Sequence, residues 1–292
     1  MSSWCQLSIL TDEVSQELDV VLAFAREFEL DGIELRSLWG KAFRDLSMDQ
    51  IREVRKRADD AGIRISGCAT PVFKCDLDDA GQIREHTELF ARSVEAANVL
   101  GCEVVRVFTF LRRSHPATAD ELARAAQHFP PLLERAREAG VIVGVENEAS
   151  CIVGTGAETK LFLTHLPAGP ELGVVWDPCN VLYLEGSTSA FPEEYEQVAD
   201  RVVHVHVKDA RRVGSKPAQE CVELGTGEID FRGQFRSLKE RGYRGWITLE
   251  THWRTVRLDP ESQHLPGGHA FSANAEPASR ICMAHLRQMV LQ

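Results

Sequence analysis

The sequence predicts a single-domain (β/α)8 barrel, and three observations carry the prediction. Eight short β-branched runs alternate with longer amphipathic stretches, the pattern of βα units built on a parallel sheet. The 292 residues suit one such barrel, which takes about 250. No G-x-G-x-x-G follows the first run, which counts against the alternative, an open doubly wound sheet that binds dinucleotides.

Taken in order, Leu7-Ser8-Ile9-Leu10 is the first strand, with a helix over about residues 15–28. Gly32-Ile33-Glu34-Leu35-Arg36 is the second. Ser47, with Gln50 three positions later, is a capping signal that opens a helix stopped by Gly62. Ile63-Arg64-Ile65-Ser66 leads to a helix over about 81–100, and Val104-Val105-Arg106-Val107-Phe108 to one ending at Gly140. The fifth strand covers 141–146, with a helix around 158–166, and the sixth covers 172–177, with a helix over 193–200. The seventh, 202–207, precedes a helix capped at Asp230 and closed by Gly242. Trp246-Ile247-Thr248-Leu249-Glu250 is the eighth strand, and a final helix spans about 275–291. Between them, residues 254–273 carry Pro, Gly, His and Ser without periodicity, which predicts a lid or an interface loop at the barrel mouth. Gly154-Thr155-Gly156 reads as a turn, since the spacing of a phosphate-binding loop is missing; Gly225 and Gly227 open the loop after the seventh strand, a frequent phosphate location in this fold, and read as turn glycines.

The formal net charge is −11, with 33 basic against 44 acidic residues. With no basic stripe to compensate, a nucleic-acid partner and a DNA-repair nuclease activity are disfavoured. Hydrophobic residues make up 43% and no apolar run approaches the length of a membrane span. The start Met1-Ser2-Ser3-Trp4-Cys5 lacks the charged and apolar regions of a signal peptide, so a cytoplasmic location is expected. The eight cysteines are scattered and without a C-x-x-C pair, which fits reduced thiols; Cys68, Cys102 and Cys179 read as small hydrophobes.

In this fold, chemistry sits where strands end. Four consecutive late strands finish in Val145-Glu146-Asn147-Glu148, Val175-Trp176-Asp177, Val203 through Asp209, and Leu249-Glu250-Thr251-His252. One crossover separates each from the next, so side chains from all four can converge. Carboxylates alone would repel when desolvated, whereas three carboxylates and an imidazole suit Mn²⁺, Mg²⁺, Co²⁺ or Zn²⁺. Strand parity leaves Glu146 or Glu148, His204 or His206, and Glu250 or His252 open as members of the set.

With Ile33-Glu34-Leu35-Arg36, Pro71-Val72-Phe73-Lys74, Arg106-Val107-Phe108, Trp176-Asp177-Pro178-Cys179-Asn180, His204-Val205-His206-Val207-Lys208-Asp209 and Gly225-Thr226-Gly227-Glu228, these motifs resemble the sugar phosphate isomerase/epimerase superfamily, the xylose isomerase-like TIM barrels. The resemblance covers nearly the whole chain. It implies one divalent ion on Glu146, Asp177, His206 and Glu250, a sugar or polyol substrate, and a homodimer or homotetramer. The chain departs from the pattern at Asn180, where many of the epimerases carry His. It departs again at Lys208-Asp209, where they carry Gly-Glu. Both departures point away from a keto-sugar 3-epimerase and leave the metal set as it is.

The expected activity is a metal-dependent sugar or cyclitol isomerase or epimerase. It acts by carboxylate-mediated proton transfer next to a carbonyl, through a metal-stabilised enediolate. A dehydratase of a keto-inositol-like substrate would use the same ligands, and a non-catalytic metabolite-binding barrel would have little need of them. Glu146 and Glu250 are the candidate acid/base pair, each with one oxygen on the ion and the other toward substrate. Arg36, Lys74, Arg106, Lys208, Arg212 and His252 are candidate substrate contacts; for Arg106 a salt bridge to Glu34 is an equal expectation. Asn147, Trp176 and His204 are expected to support the ligands, with Glu148 as an acceptor for the second N–H of His206.

Overall fold

The computed structural model describes residues 4–214, 216–256 and 268–291. Eight parallel strands form the barrel: β1 Gln6–Ile9, β2 Gly32–Leu35, β3 Arg64–Ala69, β4 Val104–Val107, β5 Ile142–Glu146, β6 Leu172–Trp176, β7 Val202–Val207 and β8 Trp246–Leu249. Their order is β1-β8-β7-β6-β5-β4-β3-β2, and a parallel bridge between Leu10 and Glu34 joins the two ends of the sheet. The expected (β/α)8 architecture is therefore present, with strand boundaries within a few residues of those read from sequence.

Helices α1 Leu18–Glu27, α2 Met48–Ala61, α3 Ala80–Leu100, α4 Ala119–Ala126, α5 Pro130–Ala139, α6 Gly156–Leu163, α7 Pro178–Leu182, α8 Phe231–Glu240, α9 His269–Ser272 and α10 Ala275–Leu291 surround it. The Ser47–Gln50 capping box opens α2 and a left-handed Gly62 closes it. Phe24, Phe90, Phe129, Phe162 and Phe231 are fully buried large side chains of the core; burying one such ring is worth about 1.5–3 kcal/mol.

Three local expectations are corrected. The single helix expected before Gly140 is two, α4 and α5, because Pro130 and Pro131 have no N–H to continue α4 and instead suit the first turn of α5. After β6 the chain enters α7 at once, because Asp177 accepts the Cys179 and Asn180 amides and Pro178 starts the turn. Residues 193–200 are not an α-helix but short irregular turns. Phe191 is extended at φ −139° and ψ 133° ahead of Pro192, as the residue before a proline prefers.

Two small hairpins that the sequence did not announce follow β2 and β7: Ser37–Leu38 with Lys41–Ala42, and Asp209–Ala210 with Cys221–Val222. Asp209 accepts the amides of Gly225 and Gly227, each at 2.9 Å, so these glycines serve the loop's own turn. A β-carbon on Gly227 would lie 2.0 Å from the Asp209 carboxylate, which requires glycine there.

Of the expected lid or interface segment, residues 257–267 lie outside the described residues. Its flanks are anchored to the end of β1. Ser272 Oγ donates to the Asp12 carbonyl at 2.9 Å, and Arg254 donates to Glu13 at 3.0 Å and to the Phe271 carbonyl at 3.0 Å.

Candidate active site

The barrel interior is polar toward its C-terminal mouth, and its side chains pair with one another. Ser8 Oγ and Thr248 Oγ1 share a hydrogen bond of 2.6 Å. Above them His204 Nε2 meets Thr248 Oγ1 at 2.7 Å and Glu34 Oε2 at 2.8 Å. His206 follows, with Nε2 3.1 Å from Glu34 Oε2 and Nδ1 3.1 Å from Glu146 Oε1. Glu34, not Glu148, is thus the acceptor behind His206. Glu148 instead turns to Ser150 and Lys74.

Glu146 at the end of β5, Asp177 just past β6, His206 on β7 and Glu250 just past β8 are all buried. Each offers one ligand atom, and these atoms lie within 4.8 Å of one another. Parity put two members of three pairs in play; the structure brings the four named by the resemblance together.

The outer oxygens of the carboxylates are already committed. Glu146 Oε2 accepts from Arg106, Glu250 Oε1 from Arg36, and Asp177 Oδ1 from the α7 amides. One oxygen of each therefore remains for the centre: Glu146 Oε1, Asp177 Oδ2 and Glu250 Oε2. Two expectations are corrected here. The second oxygens of Glu146 and Glu250 face guanidinium groups rather than open cavity, and Arg106 pairs with Glu146 rather than Glu34.

The donor set fits a divalent cation. Three oxygens and an imidazole nitrogen converge, as hard-to-borderline divalent ions prefer. Six buried carboxylates (Asp12, Glu13, Glu34, Glu146, Asp177, Glu250) face four permanent cations (Arg36, Arg106, Lys208, Arg254).

Burial pushes Asp177 up to about 7, helped by Glu250 and Glu146 and opposed by Lys208. Burial works against the charge of Glu146 as well, yet Arg106 and His206 bring it down to about 2. Burial disfavours a charged His206, but Glu34 and Glu146 raise it to about 10.

Asn147, completely buried, fixes the position of Asp177. Its amide donates to the Asp177 carbonyl and accepts the Asp177 N–H, each at 2.8 Å. Asn180, in the place of the epimerase histidine, donates to the Asn147 carbonyl at 2.8 Å. Trp176 points away from the centre, toward α8, where Nε1 donates to Gln234 at 3.1 Å.

Above the four residues opens a cavity of about 920 Å³. Glu146 and Glu250 reach its wall, as do Arg36, Lys74, Arg106, Lys208 and His252. Lys74 and Arg106 both lie over the Phe108 ring, at 4.8 and 4.2 Å, and Arg106 Nε has no hydrogen-bond partner among the described residues. Arg36 is spent on Asp12, Glu13 and Glu250. His252 stands 3.3 Å from both Glu13 and Glu250, on a backbone held at φ +48°. Arg212 is the exception among the candidate contacts. It does not line the cavity, and it binds Ser187 and Thr188 instead.

Sequence reasoning passed over Asp12, Glu13 and Arg254. The first two follow directly on the end of β1, so the strand-end rule that found Glu146 applied to them too.

The sequence model of a family described as xylose isomerase-like TIM barrel matches residues 22–276. The chain is 30% identical over 185 residues to an inosose dehydratase of Erwinia tasmaniensis, covering 56% of this chain and 61% of that protein. It spans, then, about three fifths of that relative's length. A xylose isomerase domain protein from Planctomyces limnophilus superposes with a TM-score of 0.73 at 17% identity, over 99% of this chain and 98% of its own. A D-allulose 3-epimerase from Methylomonas sp. superposes with a TM-score of 0.73 at 18% identity, over 98% of each chain. At such identities these structures share the fold.

Proposed function

The chain belongs to the xylose isomerase-like TIM barrel family, and on that footing we propose that it is a divalent-metal-dependent enzyme that moves a proton next to a carbonyl of a small sugar or cyclitol. The observation that carries the reading is the convergence of Glu146, Asp177, His206 and Glu250 beneath a cavity, with one oxygen of each carboxylate turned to the centre. When bound, the ion supplies a Lewis acid that polarises the carbonyl and acidifies the neighbouring C–H bond.

The protein's own groups do the rest. Glu34 accepts the Nε2 proton of His206 and so presents Nδ1 to the centre. Lys74 and Arg106 take substrate oxygens over the Phe108 face. When a substrate oxygen draws Arg106 away, the Glu146 carboxylate is freed to accept the C–H proton. Glu250 serves as the second acid/base group from the other side of the centre. Return of the proton to a different face or carbon makes the enzyme an isomerase or epimerase.

A second reading has its own support. The inosose dehydratase relative favours loss of a hydroxyl next to the carbanion, and His252 on the cavity wall, raised to about 9 by Glu250 and Glu13 against its burial, can protonate that hydroxyl as it leaves as water.

The test is proton exchange. Keto-inositols and ketoses incubated with the protein and Mn²⁺ in deuterated water should take up deuterium, and chelation should stop it. Retained mass with changed configuration identifies an isomerase or epimerase, and loss of water a dehydratase. Glu146→Gln and Glu250→Gln should keep the fold and lose exchange. Exchange at the parent rate in both variants would show the acid/base pair to be wrong.

A further inference from the structure

Lys208 lies two residues beyond His206, and its side chain bends back into the centre. Its ammonium donates to Asp177 Oδ2 and, at 2.8 Å, to Glu250 Oε2. These are two of the three oxygens that the guanidiniums and the α7 amides leave for the centre. A single ammonium therefore occupies half of the acceptor set that an ion would use.

Access tells the same story. Glu146, Glu250 and Lys208 line the cavity, whereas Asp177 and His206 do not. Lys208 is 4% exposed and Asp177 is fully buried, so an ion approaching from the cavity meets the ammonium before it meets Asp177.

We propose that the Lys208 ammonium and the divalent cation are alternative occupants of this centre, so that Lys208 sets the affinity for metal and holds the metal-free site together. The proposal rests on the metal-dependent reading above and deepens it. Without metal, the ammonium keeps two buried carboxylates from facing each other uncompensated. With metal, the same charge must leave, because a monovalent and a divalent cation sharing two oxygens repel one another. Glu148, on the cavity wall beside Lys74 and close enough to feel the Lys208 charge, is an acceptor within the same cavity. The displaced ammonium then stands in substrate space.

Binding of Mn²⁺ alone to the chelator-stripped full chain is measured by calorimetry for the parent, Lys208→Met and Lys208→Arg. Lys208→Met should bind Mn²⁺ at least tenfold more tightly while its metal-free melting temperature falls; Lys208→Arg, which keeps the charge, should stay near the parent. A second measurement needs no variant. Acetylation of Lys208 in the parent, followed by mass spectrometry, should rise as Mn²⁺ is added. Equal or weaker binding by Lys208→Met, or labelling that Mn²⁺ leaves unchanged or lowers, overturns the proposal and leaves the metal-dependent function standing. Absence of Mn²⁺ binding in every form, parent included, overturns both.

Discussion

Replacing Asn147 by alanine should cost more stability than any loss of packing explains, because of what it strands. The side chain is fully buried and closes a two-way clasp on the Asp177 backbone, with both contacts at 2.8 Å. Asn147→Ala leaves the Asp177 N–H buried without this partner, at about 1–3 kcal/mol, while the Asp177 C=O, at the N-cap of α7, loses one donor but keeps the helix's own. The loss is therefore about 1–3 kcal/mol, which at roughly 2–4 °C per kcal/mol lowers the melting temperature by on the order of 3–10 °C. Asp177 is the proposed ligand positioned by that clasp, so Mn²⁺ affinity should fall about 10–100-fold, the usual effect of removing a group that orients a ligand. Calorimetric melting of the metal-free chain and Mn²⁺ titration of the folded variant measure the two effects separately. A melting temperature within about 1 °C of the parent and an unaltered affinity would refute the reasoning, since the backbone of Asp177 would then have other partners.

Other consequences are as direct. Glu34→Gln keeps the shape of the side chain but removes the charge behind His206, and should weaken Mn²⁺ binding by about 10-fold or more; unchanged calorimetric affinity would disprove that orientation role. Burial would raise the Glu158 pKa, but hydrogen bonds from Arg112, Ala117 and Gly154 hold it below the ordinary value. Because the folded-state pKa is the lower one, the stabilisation is complete above the unfolded value of about 4.3 and disappears as pH falls through the folded value. Glu158→Gln should therefore melt earlier than the parent at neutral pH, by about 1.5–3 kcal/mol, and the gap should close in acid. A gap independent of pH would contradict the ion pair as its source. Arg212→Ala should lose about 1 kcal/mol of stability with its hydrogen bonds to residues 187–188 and leave turnover at the parent level; a rise in KM would return Arg212 to the substrate contacts.

Much of this was legible in the linear chain. Periodicity located eight strands and the capping box at Ser47, since local side-chain spacing and a three-residue hydrogen bond depend on near neighbours alone. The strand-end rule found Glu146, Asp177, His206 and Glu250 within a short set of alternatives. It failed where the deciding partner is far away in sequence. The helix read over 193–200 is a run of short turns, where Glu194 accepts the Ala157 amide from 37 residues away.

What the sequence by itself determined is a repeating alternation that closes into a barrel, and carboxylates with histidines at the ends of its late strands. Only the tertiary structure decided which oxygen each carboxylate has left to give. Arg36, Arg106 and Lys208 reach their partners across the barrel, from strands 31 to 214 residues away. Charge pairing at hydrogen-bond range is a property of distance in space, and no periodicity along the chain encodes it.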